Sequence, residues 1–198
     1  EYYNGNYIRS LSDEELYKWT LPFITGTKDA LLPLNPESPE PQPKVGPEYS
    51  GISLGDDGEP VCVDKSMNMS SKEVKEKLMA LMPLIKERLK YLTEAAEMVR
   101  FLFTEPSVPQ AEQIIPKKLD AQKTKEVLEE AKAFVQKLPA VSHEEGEALA
   151  KEYAEKLGVK LGDFMMPIRM AVTGSRVSPP LIGSILILGV GESIKKIK

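Results

Sequence analysis

Apolar residues recur every three or four positions along most of this chain, which is the spacing of amphipathic helices. Ser12–Glu15 has the capping-box pattern that opens a helix, which is predicted to bury Leu16, Trp19 and Phe23, with Pro22 near its end. No two segments show the alternation expected of a convincing strand pair. The pattern predicts an all-α fold with at least six helices.

A second helix is predicted to begin at Ser71 as its N-cap. Its apolar positions are Val74, Leu78 and Leu81. Pro83 interrupts or restarts this helix, because proline lacks a backbone N–H and its ring crowds the preceding turn. The apolar residues after Pro83 keep helical spacing as far as Phe103.

Three more helices are predicted in the second half of the chain. The first occupies residues 120–138 and ends at Pro139. Ser142–Glu145 is a further capping box, and the helix that it opens ends at Gly158. A third helix is predicted to bury one apolar face. The residues of that face are Phe164, Ile168, Ala171 and Val172.

Proline-rich segments divide the chain. Six prolines fall within residues 33–47, and we interpret residues 26–70 as an insertion in which Asp57-Gly58 forms the turn of a small hairpin. A spacer is favoured here over a proline-rich ligand for a partner protein. The segment TEPSVPQAEQIIP is the natural internal boundary. The predicted organisation is one helical bundle at residues 1–106 and a second at residues 107–198.

Charge is unevenly distributed along the chain. The net charge of −4 argues against nucleic-acid binding by bulk electrostatics alone. Residues 151–198 nevertheless contain eight Lys and Arg against four Asp and Glu, a local net charge of +4. A basic C-terminal region within an acidic chain is compatible with a localised anion-binding surface, and equally with a solvated lysine-rich surface.

Residue types that carry catalysis or bind metals are scarce. The single cysteine, Cys62, and the single histidine, His143, give neither a disulfide nor a zinc site of the usual spacing. No phosphate loop, GxSxG or HExxH motif is present. We therefore expect no catalytic residue and no metal site in this chain.

Two further expectations concern the chain as a whole. No apolar run approaches the ~20 residues needed to span a bilayer, so no membrane attachment is expected. The sequence begins with Glu1 and lacks the basic and apolar start of a signal peptide, so we expect a piece of a longer protein.

The segment PIRMAVTGSRVSPPL (Pro167–Leu181) places a polar, rigid elbow between two apolar segments. Such an elbow suits the presentation of backbone groups and arginines to unstacked bases, which is how proteins usually read RNA sequence. The alternative is a plain corner between helices, with Ser178 as an N-cap and Pro179 at the first helical position. On spacing alone, the plain corner is favoured.

Three segments, in order, resemble the C-terminal region of bacterial-type glutamyl-tRNA synthetases. They are YYNGNYIRSLSDEEL (Tyr2–Leu16), RFLFTEP (Arg100–Pro106) and LGVKLGDFMMPIRMAVTGSRVSPPLIGSILILG (Leu157–Gly189). Members of that family have an Asn-Gly-x-Tyr-Ile-Arg stretch after the catalytic domain, a Leu-Phe-Thr-like stretch at the end of the first helical domain and a Pro-Leu-Arg-x-Ala-Leu-Thr-Gly run near the end. The resemblance covers nearly the whole chain except residues 26–70.

The resemblance implies an anticodon-binding region of two successive helical bundles, joined in the intact enzyme to a Rossmann-type catalytic domain that this chain lacks. The implied partners are glutamate-accepting tRNA and that catalytic domain of the same protein. ATP and Mg²⁺ are implied for the intact enzyme and no cofactor for this chain, which is not expected to be catalytic alone. A cytoplasmic monomer is expected.

The resemblance also implies roles for individual residues. Arg88 falls where many members have an arginine that reads the third anticodon base, and Arg169 falls at the arginine associated with the first. The elbow residues that fall against the anticodon bases are Ser178, Pro179 and Leu181. The Pro179-Pro180 pair departs from the Pro-Gly that is commoner in the family.

Charge alone adds three expected phosphate contacts, which are Lys86, Lys90 and Arg176. The alternative function is a helical protein-interaction module that kept the fold without binding tRNA. If the chain binds tRNA, its affinity should fall steeply with salt concentration and differ between anticodons. A protein-docking module should show neither effect.

Overall fold

Helices dominate the structure, a computed structural model that describes residues 2–27, 45–104, 114–140 and 143–197. The chain divides into two units, Glu1–Thr104 and Glu105–Lys198. Within the described ranges, a two-stranded sheet is the sole β-structure. The all-α prediction is confirmed.

The first unit contains five α-helices in its described part. They are α1 (Tyr2–Ser10), α2 (Asp13–Thr25), α3 (Pro47–Ser50), α4 (Ser71–Lys86) and α5 (Ala95–Val99). Short 3-10 turns occupy Lys65–Met67, Leu92–Glu94 and Arg100–Leu102. Helix α2 packs against both α4 and α5, so it lies at the centre of this unit.

The N-terminus of α2 is stabilised by the predicted capping box. The backbone N–H of Glu15 donates to the Ser12 hydroxyl (3.2 Å), and the Glu15 carboxylate accepts from the Ser12 N–H (2.8 Å). Pro22 lies inside the helix near its end, and Gly26, at φ 69°, terminates it. A side chain at Gly26 would collide with the backbone of Gly46, so this close approach requires glycine at position 26.

The buried face of α2 differs from the prediction. Leu16, Thr20 and Ile24 are buried, whereas Trp19 is 53% exposed and Phe23 is half-buried. Positions 16, 20 and 24 are one helical turn apart and share a face, and positions 19 and 23 lie at its edge. Thr20 is polar yet fully buried. Its hydroxyl donates to the Leu16 carbonyl (2.8 Å), so burial leaves no polar group without a partner there.

The predicted start and interruption of α4 also require correction. The N-cap is Ser70 rather than Ser71, and Glu73 completes its capping box. Pro83 lies within the helix, which continues to Lys86, so Pro83 neither interrupts nor restarts it. Val74, Leu78 and Leu81 are all fully buried, and this packing holds the helix together through the proline.

The run after Pro83 is not one helix. It consists of the end of α4, a turn at residues 87–91, a 3-10 turn, α5 and a second 3-10 turn. The apolar residues nevertheless reach the core, since Leu89, Val99 and Phe103 are 0–1% exposed. Three-residue spacing suits 3-10 turns as well as α-helices, so the pattern alone does not separate them.

The predicted hairpin is confirmed. Strands β1 (Ile52–Leu54) and β2 (Pro60–Cys62) pair antiparallel, with Ser53 opposite Val61, and Gly58 in the connecting turn has φ 77°. The hairpin packs on α4, and the Ser50 hydroxyl before it donates to the Ile24 carbonyl (2.6 Å). The later part of the predicted insertion is therefore integrated into the first unit. Residues 28–44, which hold most of its prolines, lie outside the described residues.

The second unit is a bundle of five described helices. They are α6 (Ala121–Lys137), α7 (His143–Lys156), α8 (Leu161–Thr173), α9 (Leu181–Leu188) and α10 (Val190–Lys196). The N-cap of α6 is Asp120, and the helix gives way to a 3-10 turn at Leu138–Ala140. The predicted cap of α7, Ser142, lies outside the described residues.

Three aromatic rings form the centre of the second unit. Phe134 of α6, Tyr153 of α7 and Phe164 of α8 have ring centroids 5.6–6.1 Å apart. Each ring comes from a different helix, so their mutual packing fixes the arrangement of those helices. Over the described ranges, no helix is long and apolar enough to cross a membrane.

The first prediction concerns this aromatic centre. Phe134→Ala should lower the free energy of unfolding by about 3–5 kcal/mol, because Phe134 is fully buried and its removal leaves a cavity between three helices. Urea denaturation followed by circular dichroism measures the effect. Gln136→Ala, on the exposed side of the same helix, is the control and should change stability by less than about 0.5 kcal/mol. Similar losses in both variants would contradict the proposed centre.

Candidate nucleic-acid interface

The first candidate surface is the basic turn, which we define as residues Glu87–Tyr91 after the end of α4. The N–H groups of Arg88 and Leu89 donate to the Ile85 carbonyl at 2.8 and 3.0 Å. Leu89 is 1% exposed, whereas Arg88 and Lys90 on either side of it are exposed. The buried leucine anchors the turn, and the two cations are thereby held at the surface.

A single carboxylate completes the basic turn. Glu94 accepts hydrogen bonds from the backbone N–H groups of Lys90 (2.8 Å) and Tyr91 (3.3 Å). These groups would otherwise face solvent, since they belong to no helix or strand. The backbone that carries Arg88 is therefore fixed on both sides, which lowers the entropic cost of binding a ligand there.

Lys86 differs from its neighbours. Its ammonium group lies 2.7 Å from the Asp13 carboxylate, and its side chain is only 17% exposed. This ion pair joins the C-terminal end of α4 to the first turn of α2, where an acidic residue also suits the helix dipole. The geometry gives Lys86 a structural role, and its phosphate contact stays a prediction.

The second candidate surface is the elbow, which we define as residues Gly174–Pro180 between α8 and α9. Gly174 ends α8 at φ 67°, a conformation that favours glycine. Helix α9 begins at Leu181 with Pro180 as its cap residue, so the interpretation of Ser178 as the N-cap and Pro179 as the first helical residue is wrong. The side chain of Ser178 is engaged elsewhere.

Arg169 ties the elbow to α8. Its Nη1 donates to the Ser178 hydroxyl, to the Ser178 carbonyl (3.3 Å) and to the Pro179 carbonyl (2.9 Å). Hydrogen bonds from a charged donor are among the stronger ones in proteins, and a guanidinium can make several at once. Arg169 therefore holds the conformation of the elbow from within.

Short-range hydrogen bonds shape the tip of the elbow. The Ser175 hydroxyl donates to the Val177 carbonyl (2.8 Å) and accepts from the Val177 N–H (3.2 Å). The Thr173 hydroxyl lies 2.8 Å from the Arg169 carbonyl and 3.1 Å from the Ser175 carbonyl. The tip has a defined shape, and Arg176 and Val177 project from it.

The predicted elbow residues lie beneath the surface. Ser178 and Leu181 are each 2% exposed and Pro179 is buried, whereas Arg176 is exposed and Val177 is 63% exposed. In this conformation the buried residues Ser178, Pro179 and Leu181 shape the backbone. Their contact with anticodon bases stays a prediction. Val177 was not predicted, although an apolar residue within a polar turn is a signal that sequence analysis could have used.

The predicted residues thus form two groups, each within its own unit. Arg88 and Lys90 share the basic turn of the first unit, and Lys86 borders it in an ion pair. The elbow of the second unit brings Arg169 together with Ser178 and Pro179 and exposes Arg176.

The described residues contain no cluster of three or more His, Cys, Asp or Glu side chains that could hold a metal ion. Burial raises the pKa of the Cys62 thiol above its ordinary value, so the thiol stays protonated at neutral pH and is a poor nucleophile. The two candidate surfaces present cations and hydrogen-bonding groups suited to binding an anion or a base.

Comparison with known proteins decides the family. A family model described as an anticodon binding domain matches residues 58–198. The chain belongs to this anticodon-binding family. The matched residues include both the basic turn and the elbow, and the family assignment made from resemblance is confirmed.

Its relatives are longer proteins. The chain is 44% identical over 198 residues to the glutamate–tRNA ligase of Treponema denticola, with all of this chain and 36% of the relative covered. It is 37% identical over 197 residues to that of Treponema pallidum, with all of this chain and 34% of the relative covered. The chain therefore spans about a third of the length of these relatives.

Solved structures agree on the fold. A crystal structure of a glutamate tRNA ligase from Elizabethkingia meningosepticum aligns with a TM-score of 0.58 and 16% identity, covering 99% of this chain and 30% of that one. The glutamate-tRNA synthetase of Elizabethkingia anophelis aligns with a TM-score of 0.51 and the same identity and coverage. The two-bundle helical architecture of this anticodon-binding chain thus has counterparts in known structures.

The second prediction concerns the tie between α8 and the elbow. Arg169→Ala should accelerate hydrogen–deuterium exchange at the Val177 amide and destabilise the second unit by about 1–3 kcal/mol, because buried Ser178 and Pro179 lose their charged donor. Exchange measured by NMR tests this. Arg176→Ala removes an equal charge from the exposed tip and should leave the exchange rate unchanged. Equal exchange in the two variants would show that Arg169 does not hold the elbow.

Proposed function

We propose that this chain is the anticodon-binding portion of a glutamate–tRNA ligase, and that it recognises glutamate tRNA. The observation that supports this most strongly is the family match over residues 58–198, which spans both candidate surfaces. Glutamate–tRNA ligases from two Treponema species align with the chain from end to end. The intact enzyme joins glutamate to its tRNA with ATP.

The basic turn reads a base. Arg88 is exposed, and the backbone that carries it is held by Leu89 and Glu94. The main chain at Arg88 therefore has little conformational freedom. A planar guanidinium donates two parallel hydrogen bonds to the acceptor edge of a base from a rigid fork, which lysine lacks. The family resemblance assigns Arg88 to the third anticodon base, and its exposure on an ordered backbone supports that role.

The elbow supplies shape and charge. Arg169 positions the backbone near the first anticodon base, and Arg176 meets a phosphate, because it is the exposed cation at the tip. Ser178, Pro179 and Leu181 keep the surface in place. Phosphate contacts position an RNA, and base contacts specify it, so the elbow and the basic turn have different effects on binding.

The rest of the proposed enzyme supplies the chemistry. The described residues of this chain offer no carboxylate cluster for Mg²⁺, so ATP and Mg²⁺ are assigned to the remaining two-thirds. This chain holds no cofactor in the proposal. The intact protein is proposed to act as a monomer in the cytoplasm.

The third prediction tests the base-reading role. Arg88→Ala should remove about 1–3 kcal/mol of discrimination between glutamate tRNA and the same tRNA with its third anticodon base changed. Filter binding with both RNAs at two salt concentrations measures it. Lys72→Ala, at the opposite end of α4 and with a side chain 85% exposed, removes an equal charge and should keep the discrimination. If wild-type protein binds both RNAs equally, Arg88 does not read this base.

The fourth prediction tests the phosphate role. Arg176→Ala should weaken binding to all anticodon variants alike and reduce the slope of log K against log salt by roughly one, because one phosphate contact is lost. Titrations of each variant RNA across a range of salt concentrations provide the slopes. Binding that depends on neither salt nor anticodon would instead favour a protein-interaction module.

A further inference from the structure

An open apolar groove lies in the first unit and has no role in the function proposed so far. We call it the aromatic groove. Its walls include Tyr7 and Ile8 of α1, Trp19 and Phe23 of α2, Tyr91 at the end of the basic turn, and Leu92 in the 3-10 turn that follows. Three of its aromatic side chains are unusually accessible, with Tyr7 58%, Trp19 53% and Tyr91 39% exposed. Exposed apolar surface concentrated in one place marks a binding site more often than scattered exposure does.

The size and walls of the groove suit a flat ring. Its volume is about 320 Å³, near the lower end of the range of roughly 300–1,000 Å³ for small-ligand sites. Every lining residue is uncharged. The walls are anchored, because Ile8 is 2% exposed and the Tyr91 N–H is bound by Glu94. The backbone on two sides of the groove is therefore held in place.

Cations border the groove along the chain. Arg9 follows Ile8, Lys18 precedes Trp19 and Lys90 precedes Tyr91, and all three are exposed. Glu94, three residues after the basic turn, has its carboxylate engaged with backbone N–H groups. Glu87 is exposed, and it is outnumbered by Arg88 and Lys90 within the same turn. Helix α2 also carries Asp13, Glu14 and Glu15 in its first turn, so the three cations flank the groove without giving its chain segments a net positive charge.

Aromatic walls with bordering cations match the chemistry of an unpaired nucleotide. Proteins that hold single-stranded RNA stack the bases on aromatic side chains and neutralise the phosphates with Lys and Arg. An apolar protein segment would fill the same volume but would gain nothing from the cations. The groove also adjoins the basic turn, in which Arg88 and Tyr91 are three residues apart.

We infer that the aromatic groove binds an unpaired base of the tRNA anticodon loop, stacked against Trp19 and Tyr91, beside the base that Arg88 reads. This inference rests on the proposed function and extends it from hydrogen-bonded base readout to stacking. Stacking accepts any base, because every base has a π-face. The groove therefore contributes affinity and orientation, and discrimination stays with Arg88.

Trp19 provides a direct probe, because it is the only tryptophan in the chain. Titration of the protein with a glutamate tRNA transcript should quench Trp19 fluorescence in step with binding. Trp19→Ala should weaken binding at least fivefold, the lower end of the range for a base stacked on an aromatic side chain. Trp19→Phe should restore most of the affinity. Val63→Ala, which trims another exposed apolar residue of the same unit, is the matched control and should bind like wild type.

Transcripts with one abasic nucleotide identify the base. For one position of the anticodon loop, the abasic RNA should bind wild-type protein as weakly as intact RNA binds Trp19→Ala, and combining the two changes should weaken binding no further. If Trp19→Ala binds like wild type while Arg88→Ala loses discrimination, the inference is overturned and the proposed function stands. If instead Trp19→Ala loses only its association with the remaining part of the ligase, the groove docks protein and the inference is wrong. Failure of wild-type protein to bind the transcript at low salt would overturn both.

Discussion

An α-helix leaves its last backbone carbonyls without partners, and the chain that follows must be rebuilt from other hydrogen bonds. Both candidate surfaces of this protein lie directly after a helix C-terminus, the basic turn after α4 and the elbow after α8. In each place one charged side chain forms hydrogen bonds with the backbone of the segment that follows the helix. Glu94 accepts two backbone N–H groups, and Arg169 donates to two backbone carbonyls. Helix ends are also where cations are favoured by the helix dipole, so exposed arginines are tolerated there at little cost.

This arrangement reconciles an acidic chain with the proposed binding of a polyanion. A net charge of −4 gives no general attraction for RNA, so the proposed binding depends on cations at fixed positions. Arg88 and Arg176 are exposed on ordered backbone, whereas Lys86 is committed to Asp13. A lysine that must break an ion pair to reach a phosphate gains less than one that does not. Orientation by a few placed contacts favours specificity over bulk affinity.

Sequence patterns predicted the elements whose determinants are local. The capping box at Ser12, the hairpin turn at Gly58 and the buried positions of α4 depend on neighbours within a few residues. The patterns failed where contacts with residues distant in sequence decide the backbone path or the exposure of a side chain. The run after Pro83 leaves the helical path because buried Leu89 and Glu94 stabilise a turn. The tie from Arg169 to Ser178 spans nine residues across the elbow, and the exposure of Trp19 depends on which face of α2 meets α4 and α5. None of these partners is visible in spacing alone.

Glu94 links the two parts of the surface on the first unit. Its carboxylate holds the Lys90 N–H on the side of Arg88 and the Tyr91 N–H on the side of the aromatic groove. A shift of this carboxylate would move the arginine proposed to read a base and one wall of the groove together. The two functions proposed for this surface therefore depend on a common support, and neither can be optimised alone. Both N–H groups donate to the same oxygen, Oε2, so a single acceptor atom supports the backbone on both sides.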